Sequence, residues 1–485
     1  MTAQIDARGE RLRAYALLAG LAIAVCLPSI IGGPSDTIDH PWHLMWADAF
    51  AQIIAEGTLY PRWWAEGWGG LGAPSFYFQP PLGYWLASPL MLLGMAPGDA
   101  LTTVYALAFF CAGVGTFEWL APRARWPLLG AAVFLLAPYH VLDFNPRGAF
   151  AESVAIAILP WFVLAMERVV THRRWIAAAI AYALIIYAHL PFALVVTLFL
   201  VPVFLWHHRT REAWASYLRV GITGLLLAAP YLLPVLAFDG YRATGPLHDV
   251  ARFQPANWTL WRLDWSSYWV REIIPTYVVL GTALLILAVT AKSPSDEVRL
   301  GLIGLIAITL VPWLWELPLL DRVQFPFRAL PLVEFALACA IARAPQGRVA
   351  LIAAIPVLLL GAYATVPRTP PAGLPPVGTF GSAANLPREA YGGTKQSLTI
   401  AEVEAMLDPA PPPPGQVVAP HFYWPSWSCG TPEPNSSLLL HPATCTPRQR
   451  ITRTEWAAYA LAFLGVLLML GQALLDRRKI RANVG

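Results

Sequence analysis

Apolar runs long enough to approach a membrane crossing recur along this chain, near 14–31, 100–120, 126–141, 153–168, 175–190, 192–206, 215–237, 273–291, 299–316, 329–343, 349–366 and 455–475. A bilayer core takes about 20 apolar residues per helix, somewhat fewer in a tight bundle. The remaining residues carry too little charge for another solution. Only 13% of the 485 residues are charged, against about 25% in a soluble domain, and mean hydropathy is +0.53. So few charges cannot cover a water-facing surface, so lipid must serve as the solvent. The pattern predicts an all-α transmembrane bundle of about 12 helices with long outer loops.

The charges also give an orientation. With the N-terminus in the cytoplasm, the inner loops carry Arg123 and Arg125, then Arg168, Arg173 and Arg174, then Arg209 and Arg211, then Lys292 and Arg299, then Arg343 and Arg348, and finally Arg477, Arg478 and Lys479. The opposite loops are longer and dilute in positive charge, which is the positive-inside pattern. Both termini are then cytoplasmic. Residues 1–31 have the basic start of a signal peptide but no convincing cleavage site, and read as an uncleaved first helix. The apolar stretch 82–96 lies among Pro80, Pro81, Pro89 and Pro97. Counting it as a span inverts every later loop, so it reads as a re-entrant or interfacial segment. The net charge of +4 comes from basic residues scattered singly in short loops, which argues against a nucleic-acid-binding face.

The outer segments are 32–98, 141–152, 238–272, 317–328 and 367–452. The last is Pro-rich, with the run Pro411–Pro414, and is compatible with a small cap containing β structure. The domain plan is a membrane core over 1–366, this outer segment over 367–452, and a final helix with a cytoplasmic tail over 453–485. Cys26, Cys111 and Cys339 lie in apolar runs as small packing residues. Cys429 and Cys445 lie in the polar outer segment, where an oxidising compartment favours a disulfide between them.

Chemistry-bearing residues gather in the outer loops. The first contains Ser35-Asp36-Thr37-Ile38-Asp39-His40-Pro41-Trp42-His43. Either aspartate could simply cap the next helix. Either could also act as a general base at the membrane surface. Asp36, Asp39, His40 and His43 could together hold a divalent metal ion, or the histidines could serve polar packing alone. The second outer loop carries Asn145-Pro146-Arg147-Gly148-Ala149-Phe150-Ala151-Glu152, and the loop before 329–343 carries Gln324-Phe325-Pro326-Phe327-Arg328. An Arg–Glu pair and a snorkelling arginine account for these without function; a guanidinium that grips phosphate accounts for them with it. His189 lies near a helix end and reads as an interfacial histidine.

The first loop as a whole, Asp39-x-x-x-His43-Leu44, then Gly57-x-Leu59-Tyr60-Pro61-Arg62-Trp63, then Gly70-x-Gly72-x-Pro74-x-Phe76-x-Phe78-x-x-Pro81-Leu82, resembles a bacterial membrane protein family labelled "6-pyruvoyl-tetrahydropterin synthase-related". That family is similar in plan to the GT-C membrane glycosyltransferases, which take a sugar from a polyprenyl phosphate carrier and keep an essential Asp in the first outer loop. The resemblance implies a GT-C-like fold, with Asp39 and then Asp36 as catalytic candidates. It further implies substrate-binding roles for His43, Arg62, Arg147, Glu152 and Arg328. The implied partners are the bilayer, a polyprenyl-phosphate sugar donor and an envelope acceptor of glycan, lipid or protein. The implied location is the cytoplasmic membrane. Phe327 stands where the family often has Trp, and the segment from His421 looks shortened. A transporter or flippase for a lipid-linked saccharide is the competing reading. Its helix breaks would be Pro160, Pro202, Pro230 and Pro234. A non-catalytic scaffold for envelope assembly is the third.

Overall fold

A computed structural model of the full chain describes residues 2–33, 37, 39–172, 174–239, 254–265, 268–366, 412, 414–433 and 438–482. Asp36, Pro411 and Pro413 lie outside the described residues. The chain is mostly helical. Helices α1 (Thr2–Gly32), α2 (His40–Ala55), α3 (Ser75–Phe78) and α4 (Leu82–Leu92) lead into α5 (Pro97–Leu120), α6 (Pro127–Leu135), α7 (Pro138–Phe144) and α8 (Phe150–His172). Then come α9 (Ile176–Ala188), α10 (Leu190–Val195), α11 (Val201–His207) and α12 (Arg211–Ala237). The series ends with α13 (Tyr268–Thr290), α14 (Asp296–Leu310), α15 (Leu330–Arg343), α16 (Gly347–Ala364) and α17 (Arg453–Ala482).

Among the described residues nine helical stretches are long and apolar enough to cross a membrane, α6 with α7 and α10 with α11 each counting as one. This is a multi-pass membrane protein. Three further expected spans form shorter helices: α9 has 13 residues, α14 has 15 and α15 has 14. The expected twelve full-length spans are thus not all reached. The stretch 82–96 yields the 11-residue α4, about half the length that a bilayer core requires, packed on α2 and α5.

Local signals explain where helices begin. Proline at the first turn, where no amide partner is lost, opens α5, α6 and α7. The side chains of Thr210 and Ser295 accept from the amides of Ala213 (3.2 Å) and Val298 (3.4 Å), capping α12 and α14. A reciprocal capping box opens α17: Thr452 Oγ1 accepts from the Glu455 amide (3.2 Å), and Glu455 Oε2 accepts from the Thr452 amide (2.8 Å). In the bundle α5 packs on α1, α6 and α8, α12 packs on α9 and α17, and α14 packs on α15.

The outer segment before α17 contains a three-stranded antiparallel sheet in the order β1 (Gln416–Phe422), β3 (Leu438–Pro442), β2 (Thr431–Pro432). The Cys429–Cys445 disulfide is formed in it. This cap is seated on the first outer loop: the Phe422 amide donates to the Leu71 carbonyl at 2.7 Å. Trp427 meets Trp63 edge-on, and Trp424, fully buried, packs against Tyr77, Phe78 and Phe238.

The disulfide closes a loop of 16 residues' separation, which restrains the unfolded cap by about 2–4 kcal/mol. A Cys429→Ser variant should therefore lose cap protection in limited proteolysis while the helical core stays intact. In intact cells a membrane-impermeant maleimide should label the cap only after reduction; labelling without reduction would show that the bridge is absent.

Candidate active site

Three outer loops converge on one guanidinium. Arg147, in the turn between α7 and α8, is 6% exposed. Its Nη1 donates to Asp143 Oδ1 (2.6 Å), to the Tyr139 hydroxyl (2.9 Å) and to Glu152 Oε2 (3.0 Å). Its Nε faces Asp39 Oδ2 at 3.8 Å, an ion pair without a hydrogen bond. Asp143 ends α7 and Glu152 begins α8, so the turn presents both carboxyls to the arginine within it. Tyr139 also donates to Glu152 Oε1 at 2.7 Å.

Arg328 reaches the same carboxyl from the loop before α15. Its Nε donates to Glu152 Oε2 at 3.2 Å, and its Nη1 donates to the Val323 carbonyl (2.7 Å) and Gln324 Oε1 (2.9 Å). Gln324 adopts a φ of 65°, a left-handed conformation that non-glycine residues seldom hold without compensation. The Arg328 contact supplies some of it. Phe325 and Phe327 stack at 4.9 Å with an interplanar angle of 9°. Arg147 lies 5.7 Å from both ring centroids and Arg328 5.1 Å from that of Phe325. Phe327 thus offers its ring face to the Arg147 cation.

Asp39 occupies the N-cap position of α2, yet its side chain makes no cap hydrogen bond. Thr37 Oγ1 takes the His40 amide instead, at 3.2 Å. The capping explanation for Asp39 fails, and its carboxyl is left to face Arg147. The two backbones touch as well: the Asp39 amide donates to the Arg147 carbonyl at 2.9 Å. Gly148 makes this approach possible. It has a φ of +74°, and a Cβ there would lie 2.1 Å from Thr37 Oγ1 and 2.8 Å from the His40 nitrogen.

Exposure separates the acids. Asp143 and Glu152 side chains are 0% and 1% exposed, whereas that of Asp39 is 41% exposed. Asp39 is thus the one acid of the three that meets solvent. Burial still raises its pKa above the ordinary aspartate value, against the smaller opposing pull of Arg147 and Arg328. Contact with water limits that rise. Burial disfavours the charge on Arg147, but Glu152, Tyr139, Asp143 and Asp39 outweigh it and hold the guanidinium charged.

His43 follows Asp39 by one helical turn. Its Nδ1 shares a 2.7 Å hydrogen bond with the Tyr84 hydroxyl. Burial, then the neighbouring His40, His189 and Arg147, push its pKa down to about 3, so the ring is neutral at physiological pH. His189 is not merely interfacial: Nδ1 accepts from the Phe192 amide (3.3 Å), which turns Nε2 toward Glu152 Oε2 at 3.9 Å.

Arg62 and the expected metal ligands have other surroundings. Arg62 stands apart from the cluster. Its guanidinium donates to the Pro230 carbonyl, pairs with Glu455 at 3.5 Å and lies 3.7 Å over the Tyr60 ring. It ties the first outer loop to α12 and to the capping box of α17. Of the expected metal set, Asp39 faces Arg147, His43 Nδ1 faces Tyr84, and His40 Nε2 is buried without a hydrogen bond among the described residues. Among the described residues no three His, Cys, Asp or Glu side chains gather to hold a metal ion. Asp36 lies outside the described residues. Sequence reading missed Tyr139 and Asp143, both inside an apolar run. The i, i+4 spacing of Asp143 and Arg147 was the available signal.

An apolar cavity of about 610 Å³ begins beside this cluster, where Ala329 follows Arg328. Leu159, Val163, Phe199, Leu200 and Val333 wall it. At its far end it is lined by Arg123, Glu167, Glu297 and Arg343, where Arg123 pairs with Glu167 at 2.8 Å and Arg343 pairs with Glu297.

No protein-family model matches the chain, so the family label that the first loop resembles gains no support. No curated protein matches it either. Solved structures do. Arabinofuranosyltransferase AftD from mycobacteria aligns with a TM-score of 0.47 at 19% identity, over 74% of this chain and 26% of that one. A mutant form of it aligns with a TM-score of 0.50 at 18% identity, over 74% and 28%. The chain therefore spans about a quarter of that enzyme's length. The likeness is one of fold.

Removing Arg147 would leave Asp143 and Glu152 buried against one remaining guanidinium. Breaking a buried pair in this way costs about 3–5 kcal/mol. Arg147→Ala should lower the thermal unfolding midpoint of the detergent-purified protein sharply, and Asp39→Asn, at the exposed edge, hardly at all. Equal midpoints for both variants would refute this ranking.

Proposed function

We propose that the chain is a membrane glycosyltransferase that moves a sugar from a polyprenyl-phosphate donor to an envelope acceptor on the outer face of the cytoplasmic membrane. The observation that carries this reading is the convergence of Asp39, Arg147, Glu152 and Arg328 from three outer loops, with an apolar cavity that reaches Ala329, the residue after Arg328. A lipid-linked sugar phosphate has this chemistry in one molecule: an anionic head joined to a long hydrocarbon. The fold, which a mycobacterial arabinofuranosyltransferase shares in part, supports the reading.

The donor's tail lies in the cavity and its phosphate meets Arg328, with Arg147 behind. The acceptor hydroxyl attacks the anomeric carbon from the side of Asp39. A bond forms between the acceptor oxygen and that carbon as the carbon–oxygen bond to phosphate breaks. The bonding pair leaves with the phosphate, whose growing charge the guanidinium stabilises. Asp39, the most exposed acid of the cluster, takes the acceptor's proton. Neutral His43 is suited to hydrogen-bond a sugar hydroxyl, and Glu152 holds both arginines in place. Orientation with both termini in the cytoplasm rests on the positive-inside distribution of Arg and Lys.

One observation favours a flippase instead. The cavity extends from Ala329, the residue after Arg328, to the paired charges Arg123, Glu167, Glu297 and Arg343, near loops assigned to the inner side. A lipid head could pass between these two polar ends.

Mass spectrometry of polyprenyl-phosphate-linked sugars separates the readings. The strains are wild type, a deletion, and the deletion complemented with wild type or Asp39→Asn at matched expression. Under transfer, one lipid-linked sugar accumulates in both the deletion and the Asp39→Asn strain. An unchanged pool in every strain would sink the transferase reading.

With that donor in hand, turnover should fall as pH is lowered through the raised pKa of Asp39, because only the carboxylate accepts a proton. The acid limb of the rate profile should lie above the ordinary aspartate value of about 3.9. A limb at or below that value would remove Asp39 as the base.

A further inference from the structure

Glu334 is a buried carboxyl that the proposed chemistry does not use. It lies on α15, is 1% exposed and sits in an apolar run, a costly place for an ionisable group and one that asks for a role. Its Oε1 accepts from the Tyr139 amide at 2.7 Å, across 195 residues of sequence. Its Oε2 has no partner among the described residues.

The Tyr139 amide is one of the donors that the first turn of α7 leaves unused. Ala137, the residue at the N-cap of α7, has no side chain that could serve it. Glu334 therefore caps α7 from a different helix. That helix matters because its residues hold the site arginine. The Tyr139 hydroxyl takes a bond from Arg147 and gives one to Glu152, and Asp143 at the helix end binds Arg147 Nη1. Helix α15 also follows directly on the turn Pro326–Ala329 that carries Arg328. One carboxyl thus joins the element bearing Arg328 to the helix that holds Arg147.

We infer that Glu334 is a positioning residue which, by capping α7, sets the separation of Arg147 and Arg328 and so the fit of the donor phosphate. The inference rests on the polyprenyl-phosphate reading for its consequence, but not for the tie itself.

The test uses the full-length protein in nanodiscs. Hydrogen–deuterium exchange is followed over 137–147, and binding of polyprenyl phosphate without sugar is measured alongside. Glu334→Gln keeps an acceptor oxygen and should retain wild-type exchange and affinity. Glu334→Ala should speed exchange over 139–144, and weaken binding, by roughly tenfold, the change expected from leaving a buried amide without its acceptor. Leu337→Ala, equally buried on the same helix, controls for general loosening and should leave that segment unchanged. If the alanine variant does not fold, the glutamine variant decides by keeping or losing wild-type exchange. Glutamine behaving like alanine, or Leu337→Ala reproducing the local loss, would overturn the inference. Wild-type protein that binds no polyprenyl phosphate would defeat the donor reading, while exchange alone still decides the tie.

Discussion

The guanidinium of Arg147 is held away from water by carboxyls that are themselves held away from water. Neither half is stable alone at that depth, because an unpaired buried charge is far more costly than a paired one. The geometry around it follows from this mutual need. Helix α7 ends where Asp143 can reach the arginine, and α8 begins where Glu152 can. Gly148 brings the strand of backbone close enough for Asp39 to complete the set. Arg328 then shares Glu152 rather than bringing a carboxyl of its own. With Asp39, the cluster has three acids against two guanidiniums, so it has little charge to spare and strong directional demands.

Much of this was legible in the amino-acid sequence, and the limits have physical causes. Alternation of apolar runs with Arg-rich loops marks a membrane protein whatever its fold, and motifs in outer loops must share one side of the bilayer. Asp39, Arg147, Glu152 and Arg328 were singled out by the motif resemblance, and in the structure they lie together. Arg62 belongs to an equally suggestive string, but its fate was set by Glu455, nearly four hundred residues later, which no local pattern announces. Asp143 and Glu334 were hidden by their settings: each is a lone acid in an apolar stretch, and periodicity reads such stretches by their majority. Helix length was hard for a similar reason. The run 299–316 is apolar throughout, yet helix α14 stops at Leu310 and a short turn of different pitch follows.

Arg62 still has a place in the architecture. Glu455 closes the capping box of the last helix and at the same time receives Arg62 and Tyr77 from the first outer loop. The sheet of the outer cap rests on that same loop through Leu71, Trp63 and Tyr77. The first loop and the last helix are therefore fastened together. Asp39 lies in the loop so fastened, which ties its placement to the seating of the cap.

Helix α14 has a consequence for the lipid around it. Its 15 residues span about 22 Å at 1.5 Å per residue, while a bilayer's hydrocarbon core is about 30 Å thick. Leu300, Ile303, Ile306 and Leu310 form an exposed apolar face along it. Lipid beside that face must thin to meet it. Helix α14 also lines the cavity, through Leu300, Gly304 and Ile308. A bilayer that thins at the cavity wall would bring headgroups and interfacial water nearer its centre there than beside a full-length helix. Bilayer thickness becomes a variable of the protein's working, with thicker membranes penalising the very region where an amphiphile would cross from lipid to protein.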